Sequence, residues 1–313
     1  MRDPAIIRLL LDGRRLHLND GPIDLIIEAD GHATAIRAAY EAAARRFVTI
    51  LDELCAELPL LRCRSAHSSP QPRGRIASAM SAAVRPYCER HFITPMAAVA
   101  GAVAEAVLAE MTRAADLERA YVNNGGDIAF HLAASRRYTL GMIERPDCPT
   151  LFGSVEVSGA SSVRGAATSG WRGRSSSLGI ADAVTVLAET AAQADAAATI
   201  IANAVDLPDH PAITRVPASE IAPDSDLGAI PVTREVGPLS ASDVDTALHR
   251  GAQLAETLRD RRLIHSAALC LQDRVVLVSP STADASYCWD GLLRPSAATA
   301  HNPLAPQRSS HHA

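Results

Sequence analysis

The chain has 313 residues, 48% of them apolar, with a formal charge of -5 and an isoelectric point near 6.1. Only 4% of residues are aromatic, poor material for stacking bases, and the acidic balance does not suit a phosphate backbone, so no nucleic-acid partner is expected. All 30 basic residues are arginine, which removes Schiff-base chemistry, a phosphate-loop lysine and a lysine general base together. A chain of this size buries one large core or two modest ones. Cys55, Cys63, Cys88, Cys148, Cys270 and Cys288 form no Cys-x-x-Cys pair, and they read as reduced thiols rather than a disulfide framework or a zinc site. The N-terminus lacks a long apolar region with a cleavage site. The run Phe92 to Ala104 is far shorter than the ~20 residues of a membrane span. The expectation is a cytoplasmic protein with no membrane partner.

In chain order, Ala5 to Leu11 and Arg14 to Leu18 are apolar runs separated by Asp12-Gly13, a pair that supplies positive φ for a hairpin turn. Ile23 to Glu28 reads as a third strand. Thr34 to Leu58 changes to a helical period, with Ile36, Tyr40, Phe47, Ile50, Leu51, Leu54 and Leu58 on one stripe. Leu60 to Arg73, with Pro70 and Pro72, reads as a loop, and Arg75 to Arg90 as a second helix. Thr94-Pro95 suits the start of a third helix running to about Ala114, with threonine as cap and proline at the first helical position. Its small residues predict close, central packing.

Tyr121 to Asn123 and Ile128 to Leu132 read as strands around the turn Asn124-Gly125-Gly126. Further strands are expected at Tyr138 to Ile143, Ser154 to Ser158, Val163 to Ala167 and Ala181 to Ala188. Thr190 and Gln193 have capping-box spacing for a helix over Ala191 to Val205. Leu207 to Pro238 carries six prolines and reads as a long connection. A last helix is expected over Ser240 to Arg261, then an apolar hairpin over Leu263 to Val278. The division expected is one unit over residues 1–280, made of two intertwined lobes, followed by a disordered tail over 281–313.

Three segments carry chemistry. Asp195 and Thr199 stand four apart on one helix, so both project from one face, and a carboxylate with a hydroxyl there suits a hard cation such as magnesium. The plain alternative is a polar stripe on an alanine-rich helix; as a metal ligand, too, Asp195 is expected to face solvent and make no core contact. In Asn123-Asn124-Gly125-Gly126-Asp127 two glycines let a ligand approach the backbone while Asp127 orients it; an ordinary hairpin turn reads the same way. Thr168-Ser169-Gly170 offers hydroxyls and amides of a phosphate nest, or simply a loop. Asp182 is either a second metal ligand or a strand-edge charge. Arg172 and Arg174 are either bidentate phosphate ligands or solvated loop arginines.

In order and spacing, Asn123 to Asp127, Ala167 to Gly170 and Ala194 to Thr199 resemble the ApbE-like superfamily. Its flavin transferases carry an Asn-x-Gly-Gly-Asp turn, a strand ending in Ala-Thr-Ser-Gly, and a helix opening Ala-Asp-Ala-x-Ala-Thr. Tyr138 to Ile143 followed by Pro146 resembles the Trp-x-x-Gly-Ile strand and proline between the first two motifs. Gly173 to Ala188, Thr94 to Gly101 and Val232 to Val236 are similar to the uncharacterised protein family 0280 branch. The chain departs from the transferases in two places. Ala100 stands where they have a lysine before a glycine, and the Ser-rich stretch after Gly173 replaces their His-x-x-x-Pro-x-x-Gly segment. The resemblance implies an α+β fold of duplicated T-fold type, with two antiparallel sheets backed by helices and the site between the halves. It implies magnesium at Asp195 and Thr199, and FAD or FMN, or another phosphate ligand, at Asn124, Gly125, Gly126, Asp127, Thr168, Ser169 and Gly170; Asp182 for the metal and Arg172 and Arg174 for the phosphate are candidates from the residues alone. The implied activities are transfer of FMN to a client protein, a non-catalytic binding or accessory role, or a role in sulfide assimilation; no catalytic residue is assigned.

Overall fold

A computed structural model describes residues 4–143, 151–279 and 286–291. Pro146 and Cys148 lie outside the described residues, as does most of the expected tail. β1 (Ile6–Leu9) and β2 (Leu16–Asp20) pair antiparallel as a hairpin. Gly13 takes φ 68°, and Asp12 Oδ1 accepts the amides of Arg14 and Arg15 at 2.9 and 3.0 Å. The ladder closes where the Leu10 amide donates to the Arg15 carbonyl, 2.8 Å, so the connection is wider than a two-residue turn. β3 (Ile23–Asp30) leads into α1 (Ala33–Ala56), which buries Ala39, Ala43, Phe47, Ile50 and Leu54 at helical spacing. A single turn, α2 (Leu58–Leu61), and α3 (Arg75–Val84) follow.

The third expected helix starts as a 3-10 turn over Pro95–Ala98, with Thr94 Oγ1 accepting the Met96 amide at 3.2 Å, and continues as α4 (Val99–Ala114). Taken together, Pro95–Ala114 is long and apolar enough to cross a membrane by length and composition, which the shorter run Phe92 to Ala104 does not reveal. Its apolarity is used inside the protein, where Gly101, Ala102, Val103, Ala104, Val107 and Met111 are buried.

β4 (Arg119–Asn124), β5 (Asp127–Leu132), β6 (Arg137–Ile143), β7 (Leu151–Ser158), β8 (Gly165–Ser169) and β9 (Ala183–Ala188) precede α5 (Ala191–Ala204). Of the expected capping box, Thr190 Oγ1 accepts the Gln193 amide at 3.2 Å. The proline-rich connection is more ordered than its composition predicts. It holds β10 (Ile213–Pro217), the single turn α6 (Ala218–Ile221) and β11 (Pro231–Val236), paired as a hairpin with Pro217 opposite Pro231 at its end, a ladder position that proline tolerates. α7 (Ala241–Asp260) begins with a capping box between Ser240 and Asp243, and β12 (Ser266–Leu271) and β13 (Arg274–Val278) form the expected hairpin. Within the span expected to be disordered, β14 (Tyr287–Asp290) is a strand paired with β7.

The strands expected in two sheets form one continuous antiparallel sheet of nine, ordered β1-β2-β3-β4-β5-β8-β9-β12-β13. The order strand, strand, two long helices, strand, strand occurs twice along it. β2, β3, α1, α4, β4, β5 make the first set, and β8, β9, α5, α7, β12, β13 the second. Successive residues of a strand face opposite sides, and the core divides accordingly. Ala120, Val122, Ala129, Ala167 and Val186 join the helices in the main core. Tyr121, Phe130, Ala166 and Leu187 face the other way, against Val155, Val157 and Tyr287 of the small β14-β7-β6 sheet. Covered on both faces, β9 and β12 are buried at every residue.

The helices meet where α4 and α5 begin. A Cβ on Gly101 would lie 2.3 Å from the Ala191 carbonyl oxygen and 2.7 Å from the Ala192 nitrogen, distances at which backbone must move. Alanine is the better helix former by about 1 kcal/mol in an open helix, so Gly101→Ala separates the two effects. The expected outcome is a net loss of about 1–3 kcal/mol in chemical denaturation; an unchanged or higher stability would mean that the contact is not tight.

Candidate functional site

The two helix starts are tied by carboxylates that cross between them. Asp195, on α5, accepts the Gly101 amide at 3.0 Å through Oδ2, and the Ala100 amide also acts on it. α4 has no side-chain cap of its own at Ala98, so Asp195 serves as a cap supplied from another helix. Reciprocally Glu105, on α4, accepts the Ala192 amide at 2.7 Å at the start of α5. Asp195 therefore does not face solvent as expected. It is partly buried and engaged with backbone.

Two further motifs reach the same place. Asn124, at the end of β4, is buried and donates its Nδ2 to the Ala100 carbonyl at 3.2 Å. The turn after it is formed by Gly125 at φ 67° and Gly126 at φ 114°, with Asn123 Oδ1 accepting the Gly126 amide at 2.8 Å. Glycine suits these angles at little steric cost. Asp127, at the start of β5, accepts the Thr168 amide through Oδ1 at 3.3 Å, which links the turn to the Thr-Ser-Gly strand end. Its Oδ2 makes no hydrogen bond among the described residues. Thr168 Oγ1 lies 2.9 Å from Thr185 Oγ1. Arg174 reaches back from the next loop, and a Cβ on Gly125 would fall 1.9 Å from its Nη2.

Electrostatics mark the carboxylates. Desolvation raises the Asp127 carboxyl above the usual range, opposed by the Thr168 amide and by Arg174. Desolvation raises Asp195 well above that range, and the charge of Asp127 raises it further. Glu105 is raised by burial too, against the amides it accepts. Burial disfavours the charged form of all three, and at Asp195 the like charges of Asp127 and Glu105 add to it. A divalent cation would relieve the strain on Asp127 and Asp195, and their oxygens are of the hard type that magnesium takes. Thr199 stands one helical turn from Asp195 and is partly buried. Among the described residues no group of three or more His, Cys, Asp and Glu is arranged to hold a metal, so the carboxylates amount to a pair.

The carboxylate set beside Asp195 is Asp127, not Asp182. Asp182 is buried, and its oxygens are occupied. Oδ1 accepts from Trp171 Nε1 at 3.0 Å and Arg172 Nε at 2.9 Å, and Oδ2 from the Gln272 amide at 2.5 Å. With the Arg172 guanidinium 4.2 Å over the Trp171 ring, it clamps the loop after β8 to the β12–β13 turn. Of the two readings of Asp182, metal ligand or strand-edge charge, these three donors favour the second. Gly170 packs against it, since a Cβ there would lie 2.2 Å from the Asp182 carbonyl oxygen. The Ser169 side chain makes no hydrogen bond among the described residues. Glu105 carries no sequence signal beyond being an acid one turn after Gly101 in a helix of small residues.

A raised carboxyl binds its proton more tightly folded than unfolded. Its contribution to stability is complete below the ordinary value of ~4 and is lost as pH rises through the raised folded values. Asparagine at 195 still accepts the Gly101 amide but carries no charge. In metal-free buffer, the melting temperature of Asp195→Asn relative to the natural chain is expected to climb as pH rises above the ordinary carboxyl value of ~4. A pH-independent difference would show that Asp195 ionises normally. Asp195→Ala, which also loses the cap, is expected to cost about 1 kcal/mol where both carboxyls are neutral.

Residues 7–277 match the family described as AbpE bacteria. A UPF0280 protein of Methanopyrus kandleri is 36% identical over 187 residues, 58% of this chain and 69% of its own length. A UPF0280 protein of Methanothermobacter thermautotrophicus is 38% identical over 125 residues, 37% and 44% of the two lengths. Among solved structures, the flavin transferase ApbE of Vibrio cholerae overlays with a TM-score of 0.35 at 12% identity, covering 90% of this chain and 98% of that one. The flavinyl transferase ApbE of Pseudomonas stutzeri gives 0.34 at 12% identity, over 91% and 98%. With its motifs meeting at one helix crossing and a family match over most of its length, the chain belongs to the AbpE bacteria family and to the UPF0280 proteins.

Proposed function

We propose that the chain binds a flavin or related phosphate ligand with magnesium at the α4–α5 crossing, and that it does so without efficient transfer of FMN to protein. The observation that carries the reading is the pair Asp127 and Asp195, drawn from two separate motifs, whose charges oppose each other. The twice-repeated order of strands and helices supports the duplicated T-fold arrangement that the resemblance implies. In this reading Asp127 and Asp195, with Thr199 beside them, hold the metal, which when bound supplies charge neutralisation for a phosphate. Asn124 fixes the turn through the Ala100 carbonyl, and Gly125 and Gly126 keep side chains out of the ligand's path. Thr168, Ser169 and Gly170 present a strand end, and Arg174 covers the turn from the far side.

A binding or accessory role is favoured over catalysis by Ala100. In the flavin transferases the corresponding position is a lysine; here it has neither charge nor proton, and the chain contains no lysine to replace it. Loss of a positive group near developing phosphate charge removes several kcal/mol of transition-state stabilisation, or orders of magnitude in rate.

Titration calorimetry with FAD and magnesium is expected to give binding that requires both, and that Asp195→Ala abolishes. Incubation with FAD, magnesium and a client peptide of the Asp-x-x-Ser/Thr-Gly-Ala-Thr type is expected to leave the peptide mass unchanged. Unaltered magnesium affinity in the variant would overturn the metal assignment. A stoichiometric FMN adduct within minutes would make the chain a transferase.

A further inference from the structure

The loop after β8 and the β10–β11 hairpin, with α6, border an open cavity of about 310 Å³ whose walls include Trp171, Arg172, Arg174, Ser176, Thr233 and Arg234. Its charge is one-sided. Arg172 is balanced by Asp182 through Nε at 2.9 Å, but Arg174 and Arg234 form no ion pair among the described residues. The wall is built rather than incidental, because the Thr233 amide donates to the Ser177 carbonyl at 2.8 Å and so fixes β11 to the loop.

Thr233 makes the second, independent observation. The residue is only 5% exposed, and its Oγ1 is buried with no hydrogen-bond partner among the described residues. A buried hydroxyl left unpaired is costly and uncommon in folded proteins, and this one lines the cavity that the arginines charge. Guanidinium groups and a hydroxyl converging from different elements suit a tetrahedral oxyanion, which accepts hydrogen bonds in several directions. The volume lies at the low end of the ~300–1,000 Å³ typical of small-molecule sites. It suits a phosphate-bearing group rather than an entire dinucleotide.

We propose that this cavity binds the phosphoryl group of a small-molecule phosphate ester, with Arg174 and Arg234 supplying charge, Thr233 Oγ1 a hydrogen bond, and Arg172 a fixed wall. The inference deepens the proposed function and rests on it for the ligand's class, sharing Arg172 and Arg174 with it. It adds Thr233 and Arg234, which lie outside the three motifs.

The test is calorimetric titration of inorganic pyrophosphate into the full chain at low ionic strength, without magnesium or flavin. Saturable binding is expected, weakened about tenfold or more in Arg234→Gln, the loss typical of a charged hydrogen bond. Thr233→Val is expected to weaken binding about fivefold while leaving the melting temperature of the unliganded chain unchanged or higher, since an isosteric methyl removes the unpaired hydroxyl. Arg37→Gln, an exposed arginine on α1, is expected to bind as the natural chain does. Four results would each overturn the proposal: no saturable binding, unchanged affinity in both cavity variants, an equal loss in Arg37→Gln, or equal affinity for the dicarboxylate malonate. If FAD with magnesium fails to bind while the pyrophosphate pattern holds, the flavin reading fails and the cavity stands. If FAD binds and neither cavity variant alters pyrophosphate, the cavity fails alone.

Discussion

The reciprocal capping of α4 and α5 is the constraint on which the rest of the structure depends. Each helix gives a carboxylate to the other's first turn, Asp195 to Gly101 and Glu105 to Ala192. Both carboxylates are held where desolvation opposes their charge, so helix-terminal amides must supply what water does not. The arrangement is possible only because Gly101 lets the Ala191 carbonyl approach where a methyl would stand. One helix belongs to each half of the nine-stranded sheet, so the crossing fastens the halves together. It also fixes the distance between motifs that lie about 70 residues apart in sequence.

The sheet makes the second contribution by sorting side chains. Strand alternation sends Val122 and Ala129 towards the helices while Tyr121 and Phe130 pack against the small sheet. Small residues on the helix face allow α4 and α5 to lie close to the strands, and bulkier ones fill the opposite side. Asn124 and Asp127 sit at the end of this pattern, at the turn between β4 and β5. Asn124 meets the start of α4 and Asp127 the end of β8 rather than core, as buried polar groups require.

Much of this was legible in the sequence because it rests on local rules. The hairpins, α1, α4, α5 and α7 follow from period, capping and turn residues, as at Thr94, Thr190 and Gly13. The motif residues Asn124, Asp127, Thr168 and Asp195 do converge. What could not be read was pairing between distant segments. The environment of Asp195 depends on amides 94 residues away, and nothing near it in sequence signals that it caps α4. Asp182 looked available because its partners Trp171, Arg172 and Gln272 come from two elements. The β10–β11 hairpin was hidden by prolines that fall at the ends of its ladder, where no amide is needed.

The absence of lysine shapes how chemistry is divided in this chain. Arginine stays charged even where it is desolvated: Arg164, partly buried, donates to the carbonyls of Gly159, Ser161 and Val163, while burial lowers its pKa. The chain's arginines can therefore bind and orient anions, but they cannot take up and release protons at physiological pH. Proton exchange near the helix crossing falls instead to carboxyls whose ionisation burial has moved upward, Asp127, Asp195 and Glu105. Arg174 is the group that acts on both systems, opposing the rise at Asp127 while lining the arginine-rich cavity.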